Sequence, residues 1–330
     1  MNVKSGVNNI ELLNCLMLML SMLIACVLPF ETFLFSYAVL GPLHYLTELH
    51  WLNKKDFFLP TRKYIFLFIA LSVFIALSVF IIVFILLNSF NIFTSYRAGI
   101  SGLLLFLFFL FCVYLLYISK SVLLKIFLIL LIGFTLFLFY VKVGVFVLLG
   151  LFLPTILHVY LFTGLFMLMG YFKSPNIVSL ISLILLFVVP FAIYFLPFEN
   201  FILQSTMGGE KVYTATSFKY INESFVFLLG TDKESEKIFF LKAQIFIAFA
   251  YTYHYLNWFS KTSIIGWTKT LSLKKMILVL GIWILSIALY LYNYQTGLTV
   301  LFLLSMMHVL AEFPLNALSI KTVFQKLTNK

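Results

Sequence analysis

Along most of the chain, apolar residues form long unbroken runs, not two-residue alternation or narrow helical stripes. A helix that crosses hydrocarbon needs about 20 consecutive, mostly apolar residues. Runs of that kind predict about ten spans, at about 11–29, 31–50, 64–88, 98–118, 122–141, 143–171, 176–197, 238–259, 276–294 and 298–316. The first two share one apolar stretch and are separated at Pro29-Phe30-Glu31, and the fifth and sixth are separated only by Lys142. The predicted fold class is all-α: a polytopic transmembrane helix bundle forming a single domain over 1–330. The segment 198–237 is too long for a plain connector and is expected to form an outer loop that caps the bundle. A tandem Phe-Ile-Ala-Leu-Ser-Val within 68–80 is local and apolar, as in a lipid-facing helix.

Composition sharpens this reading. Residues of the AVILMFWYC set make up 63% of the 330 positions and charged residues only 10%, where water-soluble domains have about 25% charged. Such a chain cannot cover itself with polar surface, which excludes a soluble enzyme. The Phe-rich composition carries little functional weight, since AT-rich coding favours Phe, Ile, Asn and Lys. Cys15, Cys26 and Cys112 lie in apolar runs without CxxC spacing, so no disulfide framework or thiolate metal site is indicated. No basic segment and small-residue cleavage site frame the first apolar run, which is expected to be retained.

The net charge of +11 is explained by topology. With both termini cytoplasmic, the inner segments hold Lys4, Lys54, Lys55, Arg62, Lys63, Lys120, Lys125, Lys173, Lys261, Lys269, Lys274, Lys275, Lys321, Lys326 and Lys330, most of the 22 basic residues. The outer segments hold Arg97, Lys142, Lys211, Lys219, Lys233 and Lys237, and Lys242 starts a span. This bias follows the positive-inside rule and accounts for the basic excess without nucleic acid.

Against this apolar background the histidines stand out. There are five, and His44, His158, His254 and His308 fall inside predicted spans. All four spans run from outside to inside, and the histidines lie roughly 15–24 Å from their outer ends at about 1.5 Å per residue. Intramembrane ionisable groups are costly and face a protein interior or a cavity. Four imidazoles at one depth therefore point to a shared metal site. Glu48 and Glu312 lie four residues after His44 and His308, on the same helix faces, where each can serve as a ligand or as a hydrogen-bond acceptor that orients one. Pro42, Pro154 and Pro314 lie nearby and suggest helix irregularities around a cavity. His50, next to Trp51, Lys54 and Lys55, reads as an interface residue. Polar neighbours that would line the cavity are Tyr45, Thr47, Thr163, Tyr251, Tyr253, Tyr255 and Asn257. Nitrogen and carboxylate ligands without thiolate suit iron, zinc or copper. Haem would use two histidines and leave the other two and the glutamates unexplained.

The four histidine segments, taken in order, resemble the Brp/Blh-like family of bacterial membrane carotenoid-cleaving oxygenases that make retinal. Gly41-Pro42-Leu43-His44 with Glu48 is similar to that family's Gly-Leu-Pro-His followed by Asp four residues on. Leu157-His158-Val159 is similar to its Ile-His-Phe. Tyr251-Thr252-Tyr253-His254-Tyr255 is similar to its aromatic-rich third motif, and Met307-His308 with Glu312 to its final Pro-His with a later Asp. The family's third motif carries a second His where this chain has Trp258, and the acid that follows its second motif has no counterpart after His158. The resemblance implies a non-haem iron centre (Fe2+) and a bacterial inner membrane.

The expected function is a membrane-embedded, metal-dependent oxygenase acting on a long apolar, carotenoid-like lipid that comes from the bilayer, with dioxygen as co-substrate. His44, His158, His254 and His308 would hold the metal, and Glu48 and Glu312 would complete or orient its shell. Two other classes share these features. A proton-coupled transporter or lipid-moving protein would use the His/Glu pairs as a relay. A lipid hydrolase or transferase would use Zn2+-bound water. Oligomeric state is not legible in the sequence.

Overall fold

In the computed structural model, the described residues are 3–54, 122, 123, 126, 130, 157–203, 208–216, 218–229, 233–261, 266 and 271–328. The predicted spans at 64–88 and 98–118 lie outside them, as do nearly all of the span at 122–141, the first half of that at 143–171, the duplication within 68–80, Cys112, Lys142 and Pro154.

The described residues are helical, with no strand among them. The helices are α1 (Val3–Val27), α2 (Pro29–Phe35), α3 (Gly41–Lys54), α4 (Thr163–Lys173), α5 (Ile177–Phe195), α6 (Gly209–Ala215), α7 (Lys219–Leu229), α8 (Lys233–Ser260), α9 (Leu273–Tyr292) and α10 (Tyr294–Thr328). Three of them contain stretches long and apolar enough to cross a membrane: Asn9–Val27, Ile177–Phe195 and Leu273–Tyr292. Their outward faces are apolar, with Leu16, Leu23, Ile184, Phe191, Ile277 and Leu285 exposed. Asn14, Ser21, Ser182, Asn222, Gln244 and Ser286 are buried. Apolar side chains outside and polar ones inside reverse the soluble pattern, because exposed apolar patches of this extent mark contact with lipid or another protein.

α8 is the centre of the bundle. Ile245, Ile247, Ala248, Phe249 and Ala250 are buried in succession on every side, as in a helix with no solvent face. α1, α2, α5 and α7 pack around it, while α10 packs on α3, α4 and α9. The break before Pro29 falls where the sequence places it, since a proline at the first helical position lacks only an N–H that would be unpaired anyway. α5 starts at an Asn176 cap, whose Oδ1 accepts a 2.7 Å bond from the Val178 N–H.

Two π turns interrupt the helices beside the histidines, at Ser36–Leu40 and Leu157–Phe162. The first has a local cause. Pro42 has no N–H to give the Ala38 carbonyl, so the backbone widens and the Gly41 N–H donates to the Ser36 carbonyl, five residues back. The irregularity expected near Pro42 is thus a widened turn just ahead of His44.

The segment 198–237 includes a short 3-10 turn, Phe198–Phe201, and both α6 and α7. α6 rests on α2, and α7 on α8. An aromatic cluster joins them: Phe33 meets Phe218 at 4.7 Å, Tyr251 at 5.3 Å and Tyr213 at 5.5 Å between ring centroids, all edge-on. Lys242 anchors the end of α5 by donating to the carbonyls of Tyr194 (2.7 Å) and Leu196 (3.1 Å).

Candidate metal centre

α3 carries His44, α8 carries His254, α10 carries His308, and the second π turn carries His158. The four rings meet as a closed circuit. Centroids are 4.8 Å apart for His44 and His254, 5.3 Å for His254 and His158, 5.0 Å for His158 and His308, and 5.3 Å for His308 and His44. Coordinating atoms of His44, His254 and His308 all lie within 4.8 Å of one another. His158 joins that triad through His308. With Glu48 and Glu312, the rings are between 1% and 7% exposed, so water does not solvate them.

For His308 and His254, the nitrogen that faces inward is identified by what holds the opposite side of the ring. His308 Nδ1 lies against the Ser305 carbonyl, which can only accept, so Nδ1 carries the proton and Nε2 a lone pair. His254 Nδ1 donates to Thr163 Oγ1 at 2.8 Å, and that hydroxyl donates to the Val159 carbonyl at 2.6 Å. Its Nε2 is therefore also unprotonated. His158 Nδ1 lies 2.9 Å from Glu312 Oε2, off the line of a good hydrogen bond, and the carboxylate favours a proton on that nitrogen too. The inward Nε2 atoms then approach as His158–His308 at 3.1 Å and His254–His44 at 3.1 Å. Were both rings neutral with Nδ1 protonated, the His158–His308 Nε2 pair would bring two lone pairs together with no proton between them.

A shared cation would resolve this arrangement. Nitrogens bound to one ion at about 2.0–2.1 Å are held about 3 Å apart when cis. The Glu48 and Glu312 carboxyls also meet within this buried group, where the hydrogen bond between them needs a shared proton, and a cation would relieve the same repulsion. The donor set, imidazole and carboxylate without thiolate, therefore fits a divalent metal.

The two acids differ in position. Glu48 Oε2 lies 3.0 Å from His44 Nε2, on the inward side of the ring and off the line of a good hydrogen bond, and the Glu48 carboxyl also meets that of Glu312. Glu312 Oε2 faces the outward Nδ1 of His158, and the same oxygen accepts from Asn316 Nδ2 at 3.5 Å. The helical spacing that pairs His44 with Glu48 thus holds, but the expected pairing of His308 with Glu312 does not. His308 turns its Nδ1 to its own helix backbone at Ser305, which leaves Glu312 free to reach across to His158.

Trp258, at the position where the resemblance leads one to look for a further histidine, packs edge-on against His44 at 5.4 Å and donates from Nε1 to Thr47 Oγ1 at 3.0 Å. Tyr45 stacks on His308 with centroids 4.1 Å apart and shares a 2.6 Å hydroxyl contact with Tyr255. Gly41 makes room for these hydroxyls: a Cβ there would stand 3.0 Å from Tyr45 Oη and 3.2 Å from Tyr255 Oη. Thr163 and the Tyr45–Tyr255 pair are polar neighbours in the sequence, but their specific roles come from contacts between distant segments. The Ser305 carbonyl gave no sequence signal at all. His50 is half-buried on α3. A cavity of about 360 Å³ reaches His44, His254, Glu48 and Glu312. Comparison with family models, curated proteins and solved structures finds no match for this chain.

Proposed function

We propose that the chain is a multi-pass protein of about ten spans with both termini cytoplasmic, seated in a bacterial inner membrane, and that it is a metal-dependent oxygenase. His44, His158, His254 and His308 hold the metal, iron in preference to zinc. Glu48 is a ligand through the oxygen beside His44 Nε2, and Glu312 orients His158. The observation that supports this reading is the convergence of four buried imidazoles through their Nε2 atoms, with the opposite nitrogens of His254 and His308 held by Thr163 and the Ser305 carbonyl. The order of histidine segments shared with the carotenoid-cleaving oxygenases favours iron and an apolar, lipid-like substrate.

Bound iron would supply one-electron chemistry toward dioxygen and the substrate. The protein's own part is positional. Thr163, Ser305 and Glu312 fix the ring orientations, Tyr45 stacks on His308, and the packed bundle keeps the centre dry, which strengthens its local electrostatics. The test is elemental analysis of purified protein. Iron near one atom per chain, lost when any of the four histidines is replaced by alanine, supports the proposal, and a full complement of zinc would redirect it to hydrolysis.

The contact of His158 Nδ1 with Glu312 favours a second reading, a proton relay in a transporter. Folded, metal-free protein would select that reading over the oxygenase.

A further inference from the structure

The cavity leads from the histidines to a charged mouth, and four helices line it with a single face each, joined by Glu11 of α1 at the mouth. α3 contributes His44, Glu48 and Trp51, and α8 contributes His254, Asn257, Trp258 and Lys261 at its end. α10 contributes Glu312, Leu315 and Ser319, and α4 contributes Thr163, Phe166, Met169, Gly170 and Lys173. Steps of three, four and seven residues keep each series on one helix face. Seven residues from His254 to Lys261 advance about 10 Å, and ten residues from Thr163 to Lys173 about 15 Å. The shaft thus has buried imidazoles at one end, apolar side chains along its wall and two lysines at the other end.

At the mouth, neither Lys173 nor Lys261 forms an ion pair among the described residues. Glu11 lies at the same level and attracts Lys261 without reaching salt-bridge distance, so the mouth keeps a net positive charge. Burial pushes the Lys261 ammonium below its ordinary range against that attraction, so a second anion beside it is favourable. Asn257 Oδ1 is buried on the wall without a hydrogen-bond donor. A wholly apolar ligand would use neither the lysines nor Asn257.

We propose that the substrate is a single-chain amphiphile with an anionic head, a carboxylate or phosphate, seated between Lys173 and Lys261 with its chain running down the shaft. The cavity of about 360 Å³ is near the small end of ligand pockets, suited to one chain and too small for a two-chain lipid. An extended alkyl chain spans the 10–15 Å to the histidines with about eight to twelve carbons. The carbons presented to the centre are then those about eight to twelve from the head. This assignment of the reacting region rests on the metal reading above, whereas the head-group assignment is tested separately.

The experiment uses the full chain in detergent. Brominated palmitate is titrated against tryptophan fluorescence, because Trp51 and Trp258 line the shaft. Palmitate, hexadecyl phosphate and hexadecanol then compete, and metal content is measured on the same samples. We expect at least one anionic competitor to displace the probe at a concentration at least tenfold below hexadecanol. Displacement by palmitate alone identifies a fatty acid, and equal displacement by the phosphate identifies a site for either anionic head. The Lys173→Gln/Lys261→Gln double variant should lose the preference, the Lys173→Arg/Lys261→Arg variant should keep it, and Glu11→Gln should increase it. Equal displacement by all three competitors, or a preference that survives the double Gln change, overturns the proposal. Metal-free protein that keeps the anion preference removes the oxygenase reading and leaves the head-group site standing. Metal-loaded protein without the preference does the reverse.

Discussion

Glu312 Oε2 stands 2.9 Å from His158 Nδ1, although the two residues belong to segments 154 positions apart and Glu312 has a histidine, His308, one turn away on its own helix. The reason lies in the α10 backbone. His308 satisfies its Nδ1 on the Ser305 carbonyl, so the glutamate is available to another segment. Glu312 thereby ties α10 to the π turn at Leu157–Phe162, and the ring it orients is the one whose Nε2 meets His308.

From that placement the two acids should separate on mutation. Outer-shell partners of metal-bound histidines typically contribute about 10–100-fold in metal affinity. Glu312→Gln keeps a hydrogen-bonding group beside His158 and should weaken iron binding within that range. Glu48→Ala removes a proposed ligand atom and should cost more than 100-fold. Chelator competition on purified protein measures both, and equal losses would argue against the assignment of Glu48 as ligand and Glu312 as orienting group.

Thr163 offers a subtler test. Its hydroxyl accepts from His254 Nδ1 and donates to the Val159 carbonyl. Thr163→Val keeps the shape but strands the ring N–H, at a cost of about 1–3 kcal/mol. Thr163→Ser should retain iron, while Thr163→Val should lose affinity by about tenfold or more. Intact iron binding in the valine variant would show that His254 is oriented by packing alone.

How much of this was legible beforehand differs between elements. Long apolar runs predicted helices at 176–197, 238–259 and 276–294, close to α5, α8 and α9, because hydrocarbon length sets a strong lower bound on such runs. The last predicted span, 298–316, fell short of α10, which continues to Thr328, since apolarity marks where lipid begins and ends but does not limit the helix. The four histidines were legible because each is costly against an apolar background. The acid pairing was legible only where it stayed within one helix, as for His44 and Glu48. Glu312 with His158, Thr163 with His254 and Tyr45 with Tyr255 each join residues at least 91 positions apart, and no local spacing encodes them. The π turn before Gly41 was partly legible, since Pro42 marks a missing donor but does not say whether the helix kinks or widens.

The Tyr45–Tyr255 hydroxyl pair should show strong coupling. Both tyrosines are almost fully buried, with hydroxyls 2.6 Å apart. Tyr45→Phe strands the Tyr255 hydroxyl, at about 1–3 kcal/mol, and Tyr255→Phe leaves the Tyr45 hydroxyl with Ser305 alone, whereas replacing both removes the unmet demand. The double variant should therefore be more stable than the sum of the singles by about 1 kcal/mol or more. Thermal unfolding in detergent of the four proteins completes the cycle, and strict additivity would mean that the contact contributes nothing specific.

Away from the centre, Asn222 carries the most concentrated polar contact between α7 and α8. Its Oδ1 accepts from Tyr213 at 2.6 Å, and its Nδ2 donates to the Phe240 carbonyl at 3.0 Å and to Gln244 Oε1 at 3.1 Å. Gln244 in turn donates to the Pro29 carbonyl at 3.3 Å, so one amide links α6, α7, α8 and the start of α2. Asn222→Leu fills the volume but leaves the Tyr213 hydroxyl only its longer bond to the Phe218 carbonyl and takes a donor from the Phe240 carbonyl and the Gln244 amide oxygen, and should destabilise the protein by about 2 kcal/mol or more. Asn222→Asp keeps the acceptor for Tyr213 but turns a second oxygen toward two acceptors, and should be at least as damaging. The His centre lies elsewhere on α8, so iron content per folded chain should stay unchanged while the melting temperature falls. Loss of iron at unchanged melting temperature would mean that the segment 198–237 acts on the metal site and not on the stability of the fold.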